Sequence, residues 1–120
     1  MRRTRRTTRY SRGDVVLVNF VFSEETGAKR RPAVVVSSEA YHRGRQEAII
    51  AAVTSNVDRL RVGDHLISGW QQAGLLYPSV ATGIIRTIKQ AMVARRLGSL
   101  PEGDLQAVSD NLRLSLDLET

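Results

Sequence analysis

The sequence predicts a mainly β, α+β domain, in which a small, strongly bent sheet or open barrel is covered by one C-terminal helix. Three observations lead there. Up to residue 100 the chain holds at least five short runs rich in Val, Ile and Thr, separated by polar turns. Residues 101–118 alone carry apolar side chains at helical spacing. A length of 120 residues supplies one core and little for a second.

The first strand is "DVVLVNFVF", 14–22, β-branched and aromatic and preceded by the turn residue Gly13. A polar loop, "SEETGAKRR", 23–31, leads to a second strand, "PAVVVS", 32–37. Proline has no amide to donate, so Pro32 is expected at the strand's first position. "EAYHRGRQ", 39–46, holds a helical turn, and the continuous apolar content of "EAIIAAVTS", 47–55, makes a third strand. After a polar loop at 56–63, "DHLISG", 64–69, reads as a short fourth strand and "WQQAG", 70–74, as one helical turn ended by Gly74. Residues 77–100 read as strand segments, with Gly83 permitting a bend or bulge. Leu105, Val108, Leu112 and Leu116 then recur at helical spacing behind Pro101, a residue suited to a first turn. Leu112, Leu114, Leu116 and Leu118 also alternate as in a strand, but the length and the intervening polar residues favour the helix.

Apolar residues at 42% and charged residues at 25% are those of a soluble domain, and no run approaches the ~18 apolar residues of a membrane span. There are no cysteines, which excludes disulfides, thiolate zinc sites and cysteine nucleophiles and fits a reducing, cytoplasmic setting. Of the two histidines, His42 is expected at the surface beside Arg43 and Arg45, and a histidine metal site with His65 finds no support. The net charge of +6 is mostly terminal. Arg2, Arg3, Arg5, Arg6 and Arg9 account for five of the 18 basic residues, so the remainder stands at 13 against 12 acids. Residues 1–11 are therefore expected to be a disordered basic arm, either simply solvated or gathering RNA or DNA electrostatically, with one domain over 12–118.

No Walker loop, dinucleotide fingerprint, metal-binding helix pair or nucleophile elbow is present, so neither cofactor nor metal is expected. "KRRPAVVVSS", 29–38, launches Arg30 and Arg31 from the edge of a strand. A guanidinium is a fixed fork of donors matched to phosphate oxygens, although a single arginine is more often just a solvated surface group. "AAVTSN", 51–56, brings Thr54, Ser55 and Asn56 to the end of a buried strand, as donors to an anion or as turn caps. Glu24 and Glu25 are loop carboxylates able to accept a proton, and Trp70 is expected in the core. Together these groups suit an RNA phosphodiester, whose ribose brings its own nucleophile.

In order and spacing, "RGDVVLVNFVF", "KRRPAVVVSS", "IIAAVTSN", "GWQQAGLLYPSVA", "IIRTIKQAMVARRLGSL" and the terminal helix resemble the MazF/PemK toxins of bacterial type II toxin–antitoxin systems, over about 12–118. The resemblance implies an SH3-like barrel with a C-terminal helix, a homodimer, and metal-independent cleavage of single-stranded RNA (mRNA interferase activity). It also implies a cognate antitoxin that blocks the RNA groove. The family's arginine before proline is Arg31, and its strand-end hydroxyl is Thr54, with Ser55 beside it. Glu25 is the nearest counterpart of an acidic residue that some members carry in the first loop. Lys29, Arg30, Asn56 and Arg86 are the expected RNA contacts. Where other members carry an arginine–aspartate pair or a glutamine before "RTI", this chain has Ala81, Thr82, Gly83 and Ile84. A gyrase-inhibiting toxin on the same barrel and a non-cleaving RNA-binding module are the alternatives.

Overall fold

Valine and isoleucine lose side-chain freedom in a helix and pack well on a pleated surface, and this chain lays its runs of them down as strands. The computed structural model describes residues 10–21 and 28–118. Its strands are β1 (Asp14–Val21), β2 (Ala28–Val35), β3 (Glu47–Thr54), β4 (His65–Leu66), β5 (Val80–Lys89) and β6 (Val93–Ser99). Helix α1 (Glu39–His42) is one turn, a short 3-10 turn spans Gln90–Met92, and α2 (Glu102–Leu116) is the long helix. The strands form one six-stranded antiparallel sheet in the order β4-β5-β3-β2-β1-β6.

That order forces the sheet to curl. β6 lies four positions from β5, a distance of about 19 Å across a flat sheet. Yet only Gln90–Met92 separates the end of β5 from the start of β6, and four residue steps reach at most about 14 Å. The sheet closes up around the apolar residues of its inner face, where Val16, Val18, Ala33, Val35, Ile50, Ile88 and Val93 are buried together with Tyr10 and Phe20. The other face carries Val15, Val34, Val53 and Ala81, covered by Val108 of α2 and by Ile67, Ala73 and Leu75. Val15, Val16 and Val18 are therefore fully buried on alternate faces of a single strand. α2 forms where its spacing predicts, with Leu105, Val108 and Leu112 packed on the core and Leu116 exposed.

Several expectations are corrected. β2 begins at Ala28, so Lys29, Arg30 and Arg31 are strand residues and Pro32 lies inside the strand. The ladder to β1 runs unbroken from Val15↔Val34 to Val21↔Ala28. The ladder to β3 starts only at Ala33, so Pro32 sits where that edge is open and no donor is required. β4 is two residues long because the amides of Ser68 and Gly69 are taken by the carboxylate of Asp104, at 2.8 and 2.9 Å. The bend or bulge expected at Gly83 is present as a register shift, with residues 81–85 of β5 facing 51–53 of β3. His42 is buried, its Nε2 2.6 Å from Ser37 Oγ, because the Ser38-capped turn of α1 aims it inward. Of the expected arm, residues 1–9 lie outside the described residues, whereas Tyr10 is in the core and the Ser11 amide donates to Asp14. Trp70 packs against the core as expected.

The turn at 70–75 rests directly on β6. Gly74 has a φ of +83°, and a Cβ there would stand 2.2 Å from the Leu97 carbonyl oxygen. A Cβ on Gly98 would stand 2.7 Å from the Ala73 carbonyl. Two backbones meet where neither can yield. Gly74→Ala should lower unfolding free energy by at least ~2 kcal/mol, from left-handed strain plus overpacking. Urea denaturation reads this, and a midpoint equal to the parent's would contradict the close approach.

Candidate functional site

The β2–β3 ladder contains three pairs and ends at Ala33↔Ala52. Continued by two residues on each strand, that register would set Arg31 opposite Thr54 on one face of the sheet. The strands part before reaching it. Pro32 has no amide to extend the ladder, and past Thr54 the chain folds into successive side-chain turns. The Asn56 amide donates to Thr54 Oγ1 at 3.1 Å, and the Asp58 amide to Asn56 Oδ1 at 3.3 Å.

A cavity of about 440 Å³ opens in the gap. Leu17, Pro32 and Val53 form its apolar floor, and Arg31, Thr54 and Ser55 line one wall. Gly74, Leu75, Leu76, Tyr77 and Ser79 make a second, and Arg95 and Leu97 of β6 a third. Arg31 and Arg95 are exposed, and neither forms an ion pair within the described residues. Among the described residues no carboxylate lines the cavity. The site thus offers two guanidinium groups and the hydroxyls of Thr54, Ser55, Tyr77 and Ser79 beside an apolar floor, an arrangement that takes an anion carrying an apolar body. Thr54 Oγ1 already accepts one bond from Asn56, which leaves its hydrogen free to donate into the cavity.

Among the residues singled out from the sequence, Arg31, Thr54 and Ser55 are brought together. Glu25 lies outside the described residues. Lys29 is exposed on β2, and Arg30 is held by Asn19, its Nε donating to Oδ1 at 2.9 Å. Asn56 turns its side-chain oxygen into its own loop. Arg86 does not line the cavity; its guanidinium stacks 4.8 Å above the centre of the Phe20 ring. Two lining residues are legible only in the fold: Arg95, and Tyr77, which is 64% exposed. Among the described residues no three His, Asp or Glu side chains gather as a metal site, and no helix is long and apolar enough to cross a membrane.

Over residues 11–116 the sequence matches the PemK-like, MazF-like toxins of type II toxin–antitoxin systems. The chain belongs to that family. The fold of this MazF-like toxin is similar to a chain of a MazE–MazF crystal structure from Deinococcus radiodurans, with a TM-score of 0.76 and 20% identity, covering 92% of this chain and 97% of that one. It is also similar to an endoribonuclease in complex with its cognate antitoxin from a mycobacterial species (TM-score 0.72, 18% identity, 92% and 98% covered). A third likeness is to the Mycobacterium tuberculosis toxin MazF-mt6 (TM-score 0.69, 20% identity, 88% and 99% covered). At such identities these likenesses speak for the MazF-like fold alone. No curated protein matches the sequence.

Proposed function

We propose that this toxin is a metal-independent endoribonuclease acting on single-stranded RNA in the cytoplasm, and that a cognate antitoxin silences it by covering the cavity. The observation that carries the reading is Arg31, unpaired among the described residues, sharing one cavity with Thr54 and Ser55. In the reaction the ribose 2′-oxygen attacks the adjacent phosphorus and the bond to the 5′-oxygen breaks. The products are a 2′,3′-cyclic phosphate and a 5′-hydroxyl, the proton leaving the 2′-oxygen being balanced by one gained at the 5′-oxygen. Arg31 neutralises charge developing on the non-bridging oxygens, and Thr54 donates a hydrogen bond to the same group. Glu25 is the candidate proton acceptor.

A homodimer is part of the proposal. Gly63 packs against Ser115 and Gly83, which gathers Val62, Ile84 and Leu114 around one point. These side chains are 78%, 62% and 63% exposed. Apolar exposure concentrated in this way suits an interface between copies.

Incubating single-stranded RNA with the pure protein in excess chelator tests the function. Fragments ending in cyclic phosphate are expected. Intact RNA under these conditions refutes cleavage and would favour a toxin that acts by protein contact or by RNA binding alone.

A further inference from the structure

Two consecutive arginines on β6 are used in different ways. Arg96 is committed to the fold: its Nε lies 3.2 Å from the buried Asp14 carboxylate and its Nη2 donates to Ser99 Oγ at 2.6 Å. Arg95, pointing to the opposite side as strand alternation requires, lines the cavity together with Leu97. It has no ion pair or side-chain hydrogen bond among the described residues. Pro32, Leu17 and Arg95 are in register on three neighbouring strands. The backbone of Arg95 therefore stands two strand spacings, about 10 Å, from that of Pro32, the residue after Arg31. Arg31 and Arg95 thus line the same cavity from two different strands. Among the described residues no carboxylate is on the lining to balance their charges, which favours an anion there.

We infer that Arg95 is a second phosphate-binding residue, holding the RNA phosphate next to the one at Arg31 and so fixing the strand's register across the cavity. The inference rests on the ribonuclease reading above and names a substrate contact within it. A chain of phosphates satisfies both cations at once, which a single small anion would not do at this spacing, and Leu75 and Tyr77 supply an apolar wall for the attached base. Arg95 acts through binding, because the phosphate it holds is not the one that reacts.

A single-stranded oligodeoxynucleotide tests this, since it keeps the phosphates and lacks the 2′-hydroxyl, so that binding is read without cleavage. Its affinity is measured over a range of salt concentrations for the wild type, Arg95→Gln, Arg95→Lys and Arg96→Gln. Arg95→Gln should bind roughly tenfold more weakly. Its slope of log affinity against log salt should shrink by about 0.7, one phosphate contact on a single strand. Arg95→Lys should keep the slope and recover part of the affinity, as a point charge without the fork. Arg96→Gln should keep the slope while its urea midpoint falls. Wild-type affinity and slope in Arg95→Gln overturn the inference, as does an equal loss of slope in Arg96→Gln, which would mark a general charge effect. A wild-type chain that binds no oligonucleotide brings down the nucleic-acid reading itself, an outcome distinct from both.

Discussion

Replacing Arg31 with alanine leaves the chain folded and slows RNA cleavage by about 10²–10³-fold, the usual consequence of removing one preorganised donor from developing negative charge. Both halves of this expectation come from the same observation. Arg31 is exposed and has no ion pair among the described residues, so its loss should move stability by no more than about 0.5 kcal/mol. Its backbone is pinned to β1 opposite Val18, which presents the guanidinium from a fixed base. Arg31→Lys keeps the charge but loses the planar fork, and should recover only part of the rate. Thr54→Val removes a hydroxyl at nearly constant volume. Because both groups act on one phosphoryl group, the double variant should lose less than the product of the single losses. Single-turnover cleavage at saturating protein measures all of these. An alanine variant that cuts RNA as fast as its parent would take Arg31 out of the mechanism.

Local periodicity carried β1, β3 and α2, because each buries side chains at the spacing its own backbone imposes. The start of β2 was invisible for the opposite reason. Lys29, Arg30 and Arg31 are poor strand formers by type, and they are held in a strand by the β1 ladder across from them, a partner that no window around residue 30 contains. The burial of His42 is hidden in the sequence because its neighbours Arg43 and Arg45 are exposed, while the polar partner that makes its burial tolerable, Ser37, lies five residues back. Arg31, Thr54 and Ser55 stand out by side-chain chemistry as well as by the family resemblance, and the extended β2–β3 register gives a physical reason for their meeting. Nothing in the sequence around residue 95 marks Arg95. Side by side with Arg96 in sequence, it is distinguished only by Asp14, more than 80 residues away, which takes one guanidinium and leaves the other to the cavity.

Replacing Asp104 with alanine should cost about 3–5 kcal/mol, a large share of what a domain of this size has to lose. The carboxylate, 3% exposed, accepts from His65 Nε2 at 2.7 Å and from the amides of Ser68 and Gly69. It stands in the first turn of α2, where the helix dipole also favours negative charge. Alanine leaves two amides and a ring nitrogen without their acceptor, and the tie between α2 and the chain leading to the cavity wall at 74–77 is lost. The loss should depend on pH in a definite direction. Burial pushes the Asp104 carboxyl up, but the His65 bond, the Ser68 and Gly69 amides and the His65 charge outweigh it and hold it below its ordinary value of 3.8. A group lowered on folding contributes fully above its unfolded value, and that contribution disappears as pH falls through the lower folded one. The gap in unfolding free energy between the parent and Asp104→Ala should therefore be present at about pH 5 and narrow as pH falls below 3.8. Urea titrations of both proteins across that range measure it. A gap under about 1 kcal/mol near neutrality, or one that widens in acid, would show that this carboxylate does not hold the cavity wall to the helix.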